Sequence, residues 1–277
     1  MKQSIFNPDR RITYLLLLIV MIFPLVNPLG IAIKPSGNAL LAYDYAETLP
    51  EGSSVILIVD YSMGFTAEMA PQALALLKHY DSLNFKLFAA TQVPEMATAL
   101  SQMLEDTYGA SEKVYGTDYV DLGYFAGTES AVGAMGDSII DVFKTDIHGT
   151  SLTTLPIFQD VVKLPDIDLM YAATSSGTIP FIRQAHTKFG MPIVFSVNAV
   201  MGPANVPYVQ SGQAVSVLVG STGAAEYETL IQSPGAASAA MDAQSLAHLV
   251  IILMIVWGNI GFFVERKREK DKKVQEV

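Results

Sequence analysis

A chain of 277 residues with 51% hydrophobic and only 16% charged residues falls well below the charged share of about 25% usual for water-exposed domains, and so calls for membrane segments. The absence of cysteine excludes disulfides, thiol nucleophiles and cysteine-ligated metals. A formal net charge of −10 excludes nucleic acid as a partner, because its phosphates need neutralising by Lys and Arg.

Residues 1–11 are polar and carry Lys2, Arg10 and Arg11; residues 12–33 carry no charge. That is roughly the 20 residues a helix needs to cross a bilayer. Pro24, Asn27 and Pro28 predict a kink or an early helix end in its second half. The same segment reads alternatively as a cleaved signal peptide with 14–26 as its apolar region. No small-x-small site follows, so retention as an anchor is the expectation. A second apolar run, 246–264, is followed by Glu265 and the basic block RKREKDKK, a stop-transfer signal that places the C-terminus in the cytoplasm. Arg10 and Arg11 place the N-terminus there too. The expectation is a two-pass cell-membrane protein with the intervening region outside the cytoplasm. Residues 34–245 contain 22 Asp and Glu against 8 Lys and Arg. Within the second span, Gly258, Asn259 and Gly261 are candidates for a helix–helix contact with the first span or another subunit, since an amide in lipid wants a partner and small residues allow close approach.

Between the spans, strand and helix patterns alternate. The run VILIVDYS (55–62) opens on a β-branched stretch of the kind buried on both faces of a parallel sheet, so 55–60 is the first strand. Residues 66–80 repeat apolar side chains at three- and four-residue spacing and predict a helix. Strands follow at 85–90, 119–125, 168–173, 192–197 and 215–219, with helices at 94–107, 128–143, 179–189 and from 224. Gly190 marks a helix end. Residues 145–165 lack a period and read as an excursion over the sheet edge. Residues 232–245, rich in Ser, Gly and Ala over 232–243, read as a tether to the membrane. The fold class is α/β: a doubly wound, mostly parallel six-stranded sheet of Rossmann-like type, order 3-2-1-4-5-6, with two transmembrane helices added.

In that order the first and fourth strands meet at the switch point, where open α/β sheets bind ligands. Asp60, Tyr61 and Ser62 then approach Thr174, Ser175 and Ser176, while later strands contribute Asn198, Ser221 and Thr222. Hydroxyls and helix N-termini suit a small anionic solute; the competing reading is that they cap helices. Asp60 is the residue most open to chemistry, as a metal ligand, a nucleophile or an acceptor of a ligand hydroxyl. Asp118, Asp121, Asp137, Asp141 and Asp146 give no spacing that pairs two carboxylates, and a solvated surface is the simpler reading. His79, His148, His186 and His248 are far apart in sequence and form no metal pair. GxGxxG, GxxxxGK[ST] and GxSxG are all absent, so no cofactor and no resident metal is expected.

DYSMG (60–64) resembles the DxSxS metal site of von Willebrand factor type A domains at Asp60 and Ser62, but Gly64 stands in place of the second serine. The alternation and MPIVFSVNAVMGP (191–203) are similar to one lobe of periplasmic solute-binding proteins, whose late loops contact solute. Asp60–Tyr61 followed by MAPQALALLKH, then GTDYVDLGY, TDIHGTSLTTLP and GAAEYE, resemble uncharacterised two-span prokaryotic membrane proteins with an extracytoplasmic Rossmann-like domain. The functional expectation is a membrane-anchored module that binds a small solute or serves as a subunit of a membrane assembly, as a homo-oligomer or with a membrane-protein partner through the second span. The alternative is an Asp60-dependent, Mg-assisted hydrolase or transferase.

Overall fold

β1 (Ser54–Asp60) is buried along all seven residues. Its side chains alternate between two separate cores, Val55, Leu57 and Val59 on one face and Ile56 and Ile58 on the other. That division requires cover on both faces, and the computed structural model, which describes residues 10–31 and 33–275, supplies it. Five further strands, β2 (Lys86–Thr91), β3 (Tyr119–Tyr124), β4 (Leu169–Thr174), β5 (Ile193–Val197) and β6 (Ser216–Val219), pair in parallel in the order β3-β2-β1-β4-β5-β6. The expected strand order is the observed one, and each strand lies within a residue or so of its predicted place.

The helices are α1 (Arg10–Val26), α2 (Gly37–Thr48), α3 (Thr66–Ser82), α4 (Ala97–Glu105), α5 (Thr128–Met135) and α6 (Ile139–Phe143) in the first half. In the second half, α7 (179–189) carries a π-helical turn at Ile182–His186, followed by α8 (Gly202–Gln210), α9 (Gly220–Leu230) and α10 (Ala236–Gln275). The helix predicted over 128–143 is broken into α5 and α6. At the break, a side chain on Gly136 would stand 2.3 Å from the Phe189 ring, and Ser138 caps α6 by accepting from the Asp141 N–H. The excursion at 145–165 becomes short 3-10 turns whose Leu152, Ile157, Phe158 and Leu164 bury into the second core.

Two compact units result, Ala32–Ala237 and the pairing of Met1–Ile31 with Ser238–Val277. α10 contains a 29-residue stretch, Ala236–Val264, that is long and apolar enough to cross a membrane, with a mean hydropathy of 2.2 over its most apolar 18 residues. Among the described residues it is the one helix that meets that length. The first expected span, 12–33, is shorter as a helix: α1 stops at Val26, with Asn27 making the last turn's bond to Phe23, because Pro28 cannot supply the next N–H. Three N–H groups beyond the stop, those of Leu29, Gly30 and Ile31, all donate to the Asp242 carboxylate, at 2.8, 2.9 and 3.0 Å. Ile12, Thr13 and Leu16 share an apolar groove with Val250, Trp257 and Gly258. The start of α1 therefore lies beside the later part of α10, and its end beside Asp242, so the two helices run antiparallel. The expected tether also changes character. α10 is already helical at Ala236, its first turn held by Glu228, which accepts from the N–H groups of Gly235 and Ala237. The outermost residues of the expected cytoplasmic ends, 1–9 and 276–277, lie outside the described residues.

Candidate functional site

At the carboxyl ends of β1 and β4, Asp60 pairs in register with Thr174. The Asp60 carboxylate accepts from the Thr174 hydroxyl at 2.9 Å and from the Ser176 hydroxyl at 3.2 Å. The Ser175 N–H donates to the Asp60 carbonyl at 2.9 Å, and the N–H groups of Ser176 and Gly177 fold back onto the Thr174 hydroxyl. The switch point thus brings Asp60, Thr174, Ser175 and Ser176 together as expected, but Asp60 is 8% exposed and both its carboxylate oxygens hold hydroxyls from the end of β4. Burial pushes the Asp60 pKa up, and the two hydroxyls pull it part of the way back. Tyr61 is turned the other way: it is fully buried in the first core, so it does not face a ligand. Period-two alternation puts it on the side opposite Asp60. Ser62 is half-buried, and its carbonyl starts the turn into α3.

A native pKa above the ordinary 3.8 means that the folded state holds this proton longer, so Asp60's contribution to stability falls as pH rises from that value through the raised one. Asp60→Asn removes that loss. Its stability at pH 7 is expected within about 1 kcal/mol of the parent or above it, read from urea midpoints at pH 4 and pH 7. A loss of more than about 2 kcal/mol at pH 7 would show that the charge itself is needed.

The expected residues on β5 and β6 do not join this cluster. Asn198 caps the following turn by accepting from the Met201 N–H at 3.0 Å, and the neighbouring Ala199 N–H donates to Glu68 at 2.6 Å. Ser221 and Thr222 line a separate cavity of about 320 Å³ with Ser36, Asn38 and Glu226. α9 starts there at Gly220, whose φ of +60° favours glycine and whose missing side chain leaves room for the Glu68 carboxylate, 2.7 Å from where a Cβ would stand. Ser36 caps α2 and donates its hydroxyl to Glu226 at 2.6 Å, while the Ser216 hydroxyl fixes the Asn38 carbonyl at 2.6 Å. Two helix starts, α2 and α9, thus meet in one polar cavity with a buried carboxylate in its wall. The sequence reading missed Ser36, Asn38, Glu68 and Glu226. An available signal is the Ser36–Gly37 start of α2, a capping serine before a helical run.

The aspartates assigned to a solvated surface divide in two. Asp121 and Asp146 are buried, and Tyr115 bridges them, its hydroxyl donating to the Asp146 carboxylate at 3.1 Å and to the Asp121 carbonyl at 3.5 Å. Burial pushes the Asp121 pKa up. Yet Asp121 accepts from Ser101 and the Gly123 N–H, and Asp146 from the N–H groups of His148 and Thr150. The Asp146 carboxylate closes the loop at 146–150 on itself, the Asp121 carboxylate ties α4 to β3, and the Ile147 N–H, donating to the Asp121 carbonyl at 3.1 Å, joins the loop to β3. His79 joins distant parts of the chain: its Nδ1 lies 2.7 Å from the Tyr227 hydroxyl and its Nε2 3.1 Å from Glu47.

No family model matches the chain, and no curated protein matches it. Two solved structures show distant likeness. A GsuK channel bound to NAD is 11% identical with a TM-score of 0.33, over 76% of this chain and 35% of that one. The glycotransferase of kitacinnamycin is 14% identical with a TM-score of 0.25, over 67% of this chain and 41% of that one. The chain thus spans well under half the length of either, and at these scores neither assigns it a family.

In the unit that pairs α1 with α10, Gly258 lines the groove toward α1 with open space where a Cβ would be, and Gly261 is buried. Asn259 is exposed and donates one amide N–H to the Ile255 carbonyl of its own helix at 2.8 Å.

Proposed function

We propose that the chain is a two-pass membrane protein that displays its α/β unit outside the cytoplasm and binds a small polar solute in the cavity between α2, β6 and α9. The observation that supports the binding reading is that cavity: hydroxyls from Ser36, Ser221 and Thr222, the Asn38 residue and the Glu226 carboxylate are held by folded elements around about 320 Å³, within the size range of small-molecule sites. Glu226 and Glu68 hold negative charge at the helix starts where an anion would otherwise sit. This favours a neutral hydroxylated or amine-bearing solute over the anionic one expected from the hydroxyls alone.

Support for two passes comes from the α1–α10 pair. α1 is about 25 Å long at 1.5 Å per residue, somewhat short of a hydrocarbon core of about 30 Å. Irregular backbone at membrane depth is tolerated where its N–H groups find partners, and Asp242 supplies them for 29–31. The basic block after Glu265 and Arg10–Arg11 then share the cytoplasmic side.

The binding reading is tested on the full chain in detergent, by thermal shift with three probes: a polyol such as inositol, a diamine such as putrescine, and inorganic phosphate. The polyol or the diamine is expected to stabilise the protein, by about 2.7 kcal/mol at a concentration of 100 Kd, and phosphate is not. Glu226→Gln keeps an acceptor for Ser36 and removes the charge. It is expected to weaken diamine binding at least about tenfold, as loss of a buried charge partner costs about 2–5 kcal/mol. A response to phosphate alone, or to none of the three, contradicts the reading.

A further inference from the structure

The face of α10 turned away from α1 carries a pattern that lipid contact does not explain. Gln244, His248, Ile252, Ile255, Asn259 and Phe262 succeed one another at three- and four-residue steps. At 100° per residue they occupy about 80° of the helix circumference. All six are exposed, with Ile252 and Ile255 at 58% and Phe262 at 59%. The groove residues Val250, Met254 and Trp257 lie on the opposite side. From Asp242 to Val264 the helix rises about 33 Å, so a span beginning at Asp242 places His248 about 9 Å inside one boundary and Asn259 about 7.5 Å inside the other. An imidazole and a carboxamide facing hydrocarbon are costly, and polar side chains in spanning helices face partners.

We propose that this stripe is the contact between two copies of the chain, paired through α10. The inference rests on the reading that α10 crosses the membrane. The spacing is that of a left-handed helix pair, with Asn259 at a seam position where a single polar residue sets register. The chemistry selects a second copy. A carboxamide has two N–H donors and an acceptor oxygen, and Asn259 commits one N–H to Ile255. One donor and the oxygen remain, a set complementary to itself across a two-fold axis, as an isologous contact requires. Ile252, Ile255 and Phe262 supply the packing on either side.

The cysteine-free chain makes the test direct. Single substitutions Ile252→Cys and Ile255→Cys on the stripe, and Val250→Cys and Met254→Cys on the α1 side, are oxidised with copper phenanthroline in native membranes. The stripe variants are expected to give a product of twice 29.9 kDa, and the α1-side variants are not. Asn259→Leu, measured by energy transfer between labelled chains in phosphatidylcholine vesicles, is expected to weaken association about 3- to 30-fold. Cross-linking on both sides alike, on neither, or to a protein of another mass overturns the proposal. Alkaline carbonate extraction of the same membranes separates the two layers of the argument. A chain that stays in the pellet without stripe cross-links defeats the pairing alone. A chain released to the supernatant defeats the membrane reading beneath it.

Discussion

Asp242→Ala is expected to open the α1–α10 hairpin, at a cost of about 3–5 kcal/mol. The carboxylate accepts three backbone N–H groups at 2.8 to 3.0 Å and is almost fully buried. Each hydrogen bond to a charged group contributes about 1.5–3 kcal/mol, and the three share one acceptor, so they do not simply add. Alanine leaves all three donors without a partner at a position that is almost fully buried. Asp242→Asn keeps one acceptor oxygen and places an N–H donor where the other stood, so it is expected to fall between parent and alanine variant. The chain has a single tryptophan, Trp257, and it lines the groove between the two helices. Its emission therefore reports on the hairpin rather than on the α/β unit. The alanine variant is expected to show a shifted Trp257 emission and an earlier hairpin transition in denaturant. An unchanged emission and midpoint would mean that Asp242 is not what joins the helices.

His79→Ala is expected to destabilise the α/β unit by about 3–4 kcal/mol. The imidazole is 4% exposed, stacks on Tyr43 at 4.6 Å between centroids, and stands between Tyr227 and Glu47. Its removal leaves the buried Tyr227 hydroxyl unpaired, a cost of about 1–3 kcal/mol, and opens space in the layer between α2, α3 and α9. Burial holds the His79 pKa below its ordinary 6.5, although the Glu47 hydrogen bond works the other way. The Glu47 pKa is itself lowered, first by the His79 hydrogen bond and then by that of Tyr43. The pair is therefore a neutral imidazole donating from Nε2 to a carboxylate, with Nδ1 accepting from Tyr227, and not an ion pair at pH 7. The linkage sign follows. The unfolded chain takes up this proton more readily than the folded one, so the stabilisation is present above pH 6.5 and is lost as pH falls from 6.5 through the lowered value. Urea midpoints of the parent should drop between pH 7.5 and pH 5.5, and His79→Ala should lose that part of the drop. Equal drops in both would assign the acid sensitivity elsewhere.

The parts of the fold that could be read from the chain are those specified by local pattern. The β-branched run at 55–59 needs two covered faces, and alternating strand and helix segments with right-handed crossovers leave few strand orders open. α2 escaped because its buried face is made of Ala39, Ala42 and Ala46, which give little hydrophobic contrast. α8 escaped because Pro203 and Pro207 read as breakers, although Pro203 stands in the first turn, where no N–H is needed. The helix from Ala236 escaped because a Ser-, Gly- and Ala-rich passage reads as a flexible tether, although alanine is also a good helix former and Glu228 holds the first turn.

The candidate site was legible at Asp60, Thr174 and Ser176, whose meeting follows from strand order alone. It was not legible in the cavity. Ser36 reaches Glu226 across 190 positions, Ala199 reaches Glu68 across 131, and Leu29 reaches Asp242 across 213. No spacing rule connects such pairs; only the closed fold does. The same holds for Asp121 and Asp146, which share Tyr115 through a loop that has no period of its own.

The arrangement of the chain across the membrane is the claim on which the rest depends, and single-cysteine labelling tests it most directly. Thr153→Cys places a thiol on an exposed turn of the α/β unit, and Gln275→Cys places one at the end of α10. In intact cells, a membrane-impermeant maleimide should label the first variant at once and the second only after permeabilisation. Labelling of both in intact cells, or of the second alone, would contradict a hairpin that holds both termini in the cytoplasm and the α/β unit outside.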